Sequence, residues 1–234
     1  TRPYVPAKGK IMNMNMIRTR LDNIRKKEKC DKIFILIAVS LLICLFGFGM
    51  GVFSKFPDYR QAFLPGILGY IDSALDLHNF LGAFAPWLFL ALCIAVYSKT
   101  PLRAGVNVFL FFAGMVSGYY LYCNFAAGFF PESYAMIWVF LTVVSPFFAY
   151  ICWYMPGNGW LSVILSGAAL SFFINSAFAY GMFYISVRSP LYLVPLAAAA
   201  FVLRRRNIKE EAAVIVTAIA TAVLISLFSP IHIY

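Results

Sequence analysis

From Ile33 to Phe228, long apolar runs alternate with short joints rich in polar residues, Gly and Pro. The runs are continuous, whereas a membrane-spanning strand would alternate apolar and polar side chains over about ten positions, so helices are predicted. The pattern places spans near 33–53, 81–97, 104–127, 134–155, 160–184, 190–203 and 212–228. The sixth is short. From Leu191 to Leu203 a helix rising about 1.5 Å per residue covers only about 20 Å, so six crossings compete with seven. The expected fold is an all-α polytopic transmembrane helix bundle of about seven spans.

Composition points the same way. With 62% hydrophobic and only 12% charged residues, and a mean hydropathy of +0.82, the chain has too little polar surface to coat a water-soluble globule. The net charge of +10 is unevenly spread. Arg18, Arg20, Arg25, Lys26, Lys27, Lys29 and Lys32 precede the first run, and Lys99, Arg103, Arg204, Arg205, Arg206 and Lys209 fall on the same side if the chain crosses seven times. Lys55, Arg60 and Arg188 fall on the other. Lys and Arg accumulate in short cytoplasmic loops, so the N-terminus is expected inside and the C-terminus outside. Arg25, Lys26, Lys27, Arg204, Arg205 and Arg206 are expected to face anionic lipid headgroups, each attracted by about 1 kcal/mol. Topology accounts for these charges, and nucleic acid is not an expected partner.

The chain divides into a basic cytoplasmic segment, 1–32, and a single transmembrane domain, 33–234. Residues 1–11 precede Met12, Met14 and Met16 and are set aside from the fold reading. Beyond them Ile17, Leu21 and Ile24 share one helical face flanked by Arg18, Arg25 and Lys26. That pattern fits a short amphipathic helix on the inner membrane surface, or a solvated flank that only orients the first span. The first span is read as retained, since no small-residue cleavage motif follows it. Cys30, Cys44, Cys93, Cys123 and Cys152 show neither a CxxC pair nor a disulfide-framework spacing, so neither a disulfide nor a metal-thiolate site is expected.

The richest chemistry lies in Gln61–Phe80. At about 100° per residue Asp72, Asp76 and Asn79 fall within about 60° of one another, while His78 points away and makes a poor partner in one regular helix. An ionised carboxylate at membrane depth costs about 2.5–3.5 kcal/mol. The segment is therefore expected at the outer interface, with its acidic face either in water or lining a wet vestibule. DxxxD pairs serve Mg²⁺-dependent diphosphate chemistry only when a second acidic helix completes the clamp, and Glu210 and Glu211 lie on the opposite side. HExxH, GxSxG and GxxxxGK[ST] are absent, so no catalytic residue, metal or cofactor is assigned. A retinal Schiff base is not expected either, because no Lys falls inside the proposed spans.

Small-residue spacing predicts packing. Gly114 and Gly118 fall one turn apart on the third span, and Gly47 and Gly51 on the first offer a complementary face. Ser162, Ser166, Ala169, Ser176 and Tyr180 form a small, polar stripe on the fifth span, while Asn175 faces elsewhere. Pro146 and Pro195 each remove a backbone donor and are expected to kink or unwind their helices. Tyr119, Tyr120, Tyr122 and Asn124 form an interfacial aromatic belt or a polar wall, and His232 lies in the outer tail.

Gly82 to Pro86-Trp87, Ser98-Lys99-Thr100-Pro101-Leu102-Arg103-Ala104 and Gly114 to Gly118-Tyr119-Tyr120 resemble an uncharacterised family of small bacterial polytopic membrane proteins. The resemblance covers the second and third spans, implies a bacterial inner membrane and carries no catalytic residue. Buried polar groups and broken helices make transport or permeation of a small molecule or ion the leading expectation. Its candidate ligand-binding residues are Asp72, Asp76 and Asn79 at an outer vestibule, with Asn107, Asn175 and Tyr180 deeper. The alternative is a non-catalytic scaffold or partner subunit that binds lipid, another membrane protein or a second copy of itself.

Overall fold

A computed structural model describes residues 19–29, 32–59, 64, 66–128, 132–180 and 184–228. Beyond the helical residues 19–24, the described residues form α1 (Ile33–Tyr59), α2 (Gly66–Leu75), α3 (Leu77–Gly82), α4 (Phe84–Tyr97), α5 (Pro101–Tyr122), α6 (Glu132–Cys152), α7 (Trp160–Ala177), α8 (Leu193–Val202) and α9 (Ile208–Phe228). A π turn, Cys123–Ala127, prolongs α5, and a 3-10 turn, Pro190–Tyr192, leads into α8. Between α7 and α8 the strands β1 (Phe178–Tyr180) and β2 (Ile185–Val187) pair antiparallel, with Phe178 opposite Val187.

Five stretches are long and apolar enough to cross a bilayer: Ile33–Pro57, Pro101–Ala126, Ala135–Cys152, Trp160–Ala177 and Ile208–Phe228. These fit an integral membrane protein of helical-bundle class. The most apolar window of the first has mean hydropathy 2.8, yet only 11% of it is buried within the protein. Apolar patches on soluble monomers seldom exceed a few hundred Å², so lipid is the medium that suits such a rod.

The second and sixth expected spans differ from a simple helix. The second is divided into α3 and α4 at Ala83, whose backbone is extended, and the sixth reduces to the short apolar stretch Pro190–Val202. The fifth ends at Ala177, where Phe178 adopts an extended conformation and opens the hairpin.

Close glycine packing helps hold the bundle. α1 lies along α5, where a Cβ added at Gly47 or Gly51 would collide with the carbonyl oxygens of Phe111 and Met115. Gly114 and Gly118 meet the Cys44 and Phe48 carbonyls in return, so the two glycine pairs interlock backbone on backbone. α7 lies along α9, with Gly167 against Thr217 and Ala218. The short α4 sits between the two halves. Trp87, Ala91 and Ala95 join the cluster of Phe111, Phe112, Trp138 and Trp153, while Leu92 and Val96 join that of Phe173, Ala199, Val214 and Ala218.

Neither proline unwinds its helix. α6 continues through Pro146, and the carbonyl left without its i+4 donor, that of Thr142, accepts from Ser145 Oγ at 2.9 Å. Pro195 lies in the first turn of α8, where its missing N–H has no helical partner to lose.

Contacts define two ends. At the basic end, Glu28 N–H donates to Lys99 O at 3.0 Å and Arg103 reaches Leu36 O at 2.6 Å. At the acidic end Tyr59 stacks edgewise on Tyr122, Asn175 reaches Ala222 O at 3.2 Å and Ser189 Oγ donates to Leu75 O at 3.1 Å.

Candidate functional site

The acidic end is built around a helix break that its residues stabilise. Asp76 takes a left-handed conformation, φ 59° and ψ 51°, and separates α2 from α3. Asp tolerates this region better than most residues because its short carboxylate bonds locally. Here the Asp76 carboxylate accepts from Asn79 Nδ2 at 2.8 and 3.1 Å. Asp76 and Asn79 thus meet, as one helical face predicts.

His78 joins them, which corrects the expectation from a regular helix. The left-handed residue swings the following turn around, so that Asp72 Oδ1 accepts from the His78 N–H at 2.8 Å and lies 2.9 Å from His78 Nδ1. On the other ring edge, Nε2 is 3.4 Å from Asp76 Oδ1. A neutral imidazole donates to one of these carboxylates and an imidazolium to both. The side chain of Asp72 is 6% exposed and that of Asp76 is 52% exposed, so the imidazole bridges an inner carboxylate and an outer one.

Trp87 supports the far end of α3, at the junction with α4. Its indole N–H donates to Leu81 O at 2.8 Å, satisfying a carbonyl at the end of α3, and its ring is almost fully buried.

Asp76 also lines a cavity of about 350 Å³ between α3–α4, α7 and the segment after β2. Its other polar walls are Ser176, Arg188, Ser189 and Tyr192, with Phe172 on the apolar side. Arg188 approaches Phe178 O at 3.4 Å, and Tyr192 is held by the Phe80 ring at 5.2 Å. The volume falls within the range of small-molecule clefts, about 300–1,000 Å³.

Asn107, Asn175 and Tyr180 are not brought to this cavity. Asn107 is buried in a network at the basic end, accepting from Ser40 Oγ at 2.9 Å and donating to Ser98 Oγ at 3.3 Å. Asn175 fastens α7 to α9 through Ala222 O. Tyr180, on β1, lies outside the cavity lining; partial burial raises its pKa above the ordinary value, with Arg188 pulling the other way.

Two of the six arginines and lysines expected at lipid headgroups turn inward instead. Arg25 stacks on Trp153, 4.3 Å from the ring centre, and donates to Trp153 O at 2.7 Å. Arg205 donates to the Met155 and Gly157 carbonyls and to Ser162 Oγ and Ser166 Oγ, at 2.6 and 3.0 Å for the hydroxyls. A planar guanidinium gathers such divergent acceptors, whereas a charge count along the sequence cannot distinguish it from its neighbours. Burial pushes both guanidinium pKa values down, opposed by Glu28 at Arg25 and by Glu210 and Glu211 at Arg205. Lys26, Lys27, Arg204 and Arg206 are exposed.

The 19–29 segment also packs inward. Leu21 and Ile24 touch the core cluster, and Ile24 O accepts from Asn158 N–H at 2.8 Å. Arg18, Cys30, Arg60, Gln61 and His232 lie outside the described residues. Lys55, expected beyond the first span, falls inside Ile33–Pro57; it is buried, with its ammonium 5.7 Å from the Tyr119 ring centre. A span does contain a lysine, contrary to expectation.

Among the described residues no cluster of His, Cys, Asp or Glu is arranged to hold a metal ion. Comparison with known protein families, characterised proteins and solved structures finds no match. The functional reading therefore rests on the geometry of this chain.

Proposed function

We propose that this chain is a small polytopic membrane protein that binds a small polar solute in the cavity beside Asp76 and carries it across the bilayer. The observation that supports this most is the cavity itself. It is a solute-sized space with charged and hydroxyl groups, set between broken helices at one end of an apolar bundle. Broken helices beside a cavity are where multispan carriers present polar groups to a solute.

In this reading the chain crosses seven times, counting α3 with α4 and the Pro190–Val202 stretch. The basic end faces the cytoplasm and the acidic end faces outward, and the resemblance noted above favours a bacterial inner membrane. The clustering of Lys26, Lys27, Arg204 and Arg206 at one end supports that orientation. A cysteine replacing Lys29 should then react only from the cytoplasmic side, and one replacing Tyr184 only from outside. The reverse labelling pattern would invert the reading.

Transport is tested with sealed proteoliposomes and an equimolar mixture of labelled small amino acids, amines and carboxylates. At least one solute should enter faster than into protein-free vesicles, and Ser176→Trp, which fills the cavity, should abolish that uptake while the thermal midpoint is retained. Uptake equal to protein-free vesicles for every solute would leave the scaffold reading in its place.

A further inference from the structure

We infer that the solute class of this cavity is zwitterionic: a small molecule carrying an ammonium at one end and a carboxylate or similar acid group at the other. The inference rests on reading the cavity as a solute site and adds its chemical selectivity.

The walls carry one acidic and one basic side chain from separate parts of the chain. Asp76 comes from the α2–α3 break and Arg188 from the turn after β2. Asp76 is fixed by Asn79 and faces His78, and Arg188 approaches Phe178 O. Tyr192 lines the same cavity as both charges.

A simple cation would meet Asp76 favourably but bring like charge toward Arg188, and a simple anion would do the reverse. A zwitterion matches both charges at once and leaves the cavity's net charge unchanged. The neutral wall fits the same ligand. Ser176 and Ser189, whose hydroxyls donate to Phe172 O and Leu75 O, offer oxygens that accept from an ammonium, and Phe172 adds an apolar face for a short aliphatic chain. Arg188 also suits the acid group, because a guanidinium grips a carboxylate through two parallel N–H bonds.

The test uses three probes of matched length, 4-aminobutyrate, butylamine and butyrate, titrated calorimetrically into the full chain in lipid nanodiscs at pH 7. The zwitterion should bind at least tenfold more tightly than either singly charged probe. Asp76→Asn should bring its affinity to within threefold of butyrate, and Arg188→Gln to within threefold of butylamine. Tyr180→Phe, outside the cavity lining, should leave the ranking unchanged and report on folding.

Butylamine or butyrate binding as tightly as 4-aminobutyrate would overturn the inference while leaving a solute site in place. No binding of any probe would overturn it as well. Selective zwitterion binding without vesicle uptake would uphold it and instead remove the transport reading.

Discussion

The two ends of the bundle handle polar groups in opposite ways. At the basic end Arg25, Arg103 and Arg205 are spent on backbone carbonyls and serines, and Trp153 Nε1 closes the set on Ser98 O at 2.6 Å. At the acidic end His78 is held by Asp72 and faces Asp76, whose carboxylate accepts from Asn79 and lines the cavity. The basic end closes its guanidinium groups on the fold's own acceptors, whereas the acidic end keeps a carboxylate on a cavity wall.

A seam common to both ends sets the upper limit for disruption. Gly114→Leu would drive a side chain into the Cys44 carbonyl and push α1 from α5, with a loss of about 3 kcal/mol or more, read as a lower thermal midpoint in detergent. Arg205→Ala should come next, costing about 3 kcal/mol by stripping charged donors from Met155, Gly157, Ser162 and Ser166. Arg205→Lys should recover only part of that loss, because an ammonium cannot fork to the same acceptors. Full recovery would mean that charge, not geometry, closes the basic end. Asp72→Asn should cost the least, about 1 kcal/mol, since an amide oxygen still accepts from the His78 N–H. A loss as large as that of Arg205→Ala would erase the contrast between the ends.

The sequence made the glycine seam legible because four-residue spacing on two helices has few other uses in lipid, and GxxxG pairs require no long-range information. The bundle class was equally plain from the length of the apolar runs. The acidic triad was only half legible. Asp72, Asp76 and Asn79 share a face of a regular helix, but the step that recruits His78 is a left-handed Asp76, and nothing in the local sequence marks it as glycine would have done. Arg205 was hidden for another reason. Its partners are carbonyls of Met155 and Gly157, roughly fifty positions away, and a backbone acceptor leaves no trace in composition. Asn107 misled similarly: a buried amide reads as a solute contact until Ser40 and Ser98 are seen to occupy it.

The unequal lengths of the apolar rods carry a mechanical consequence. Ile33–Pro57 has 25 residues and Ala135–Cys152 has 18. At about 1.5 Å per residue these measure about 38 and 27 Å, on either side of a hydrocarbon slab about 30 Å thick. The longer rod fits such a slab by leaning and the shorter by drawing the leaflets inward, so the bilayer should differ in thickness around the molecule's circumference.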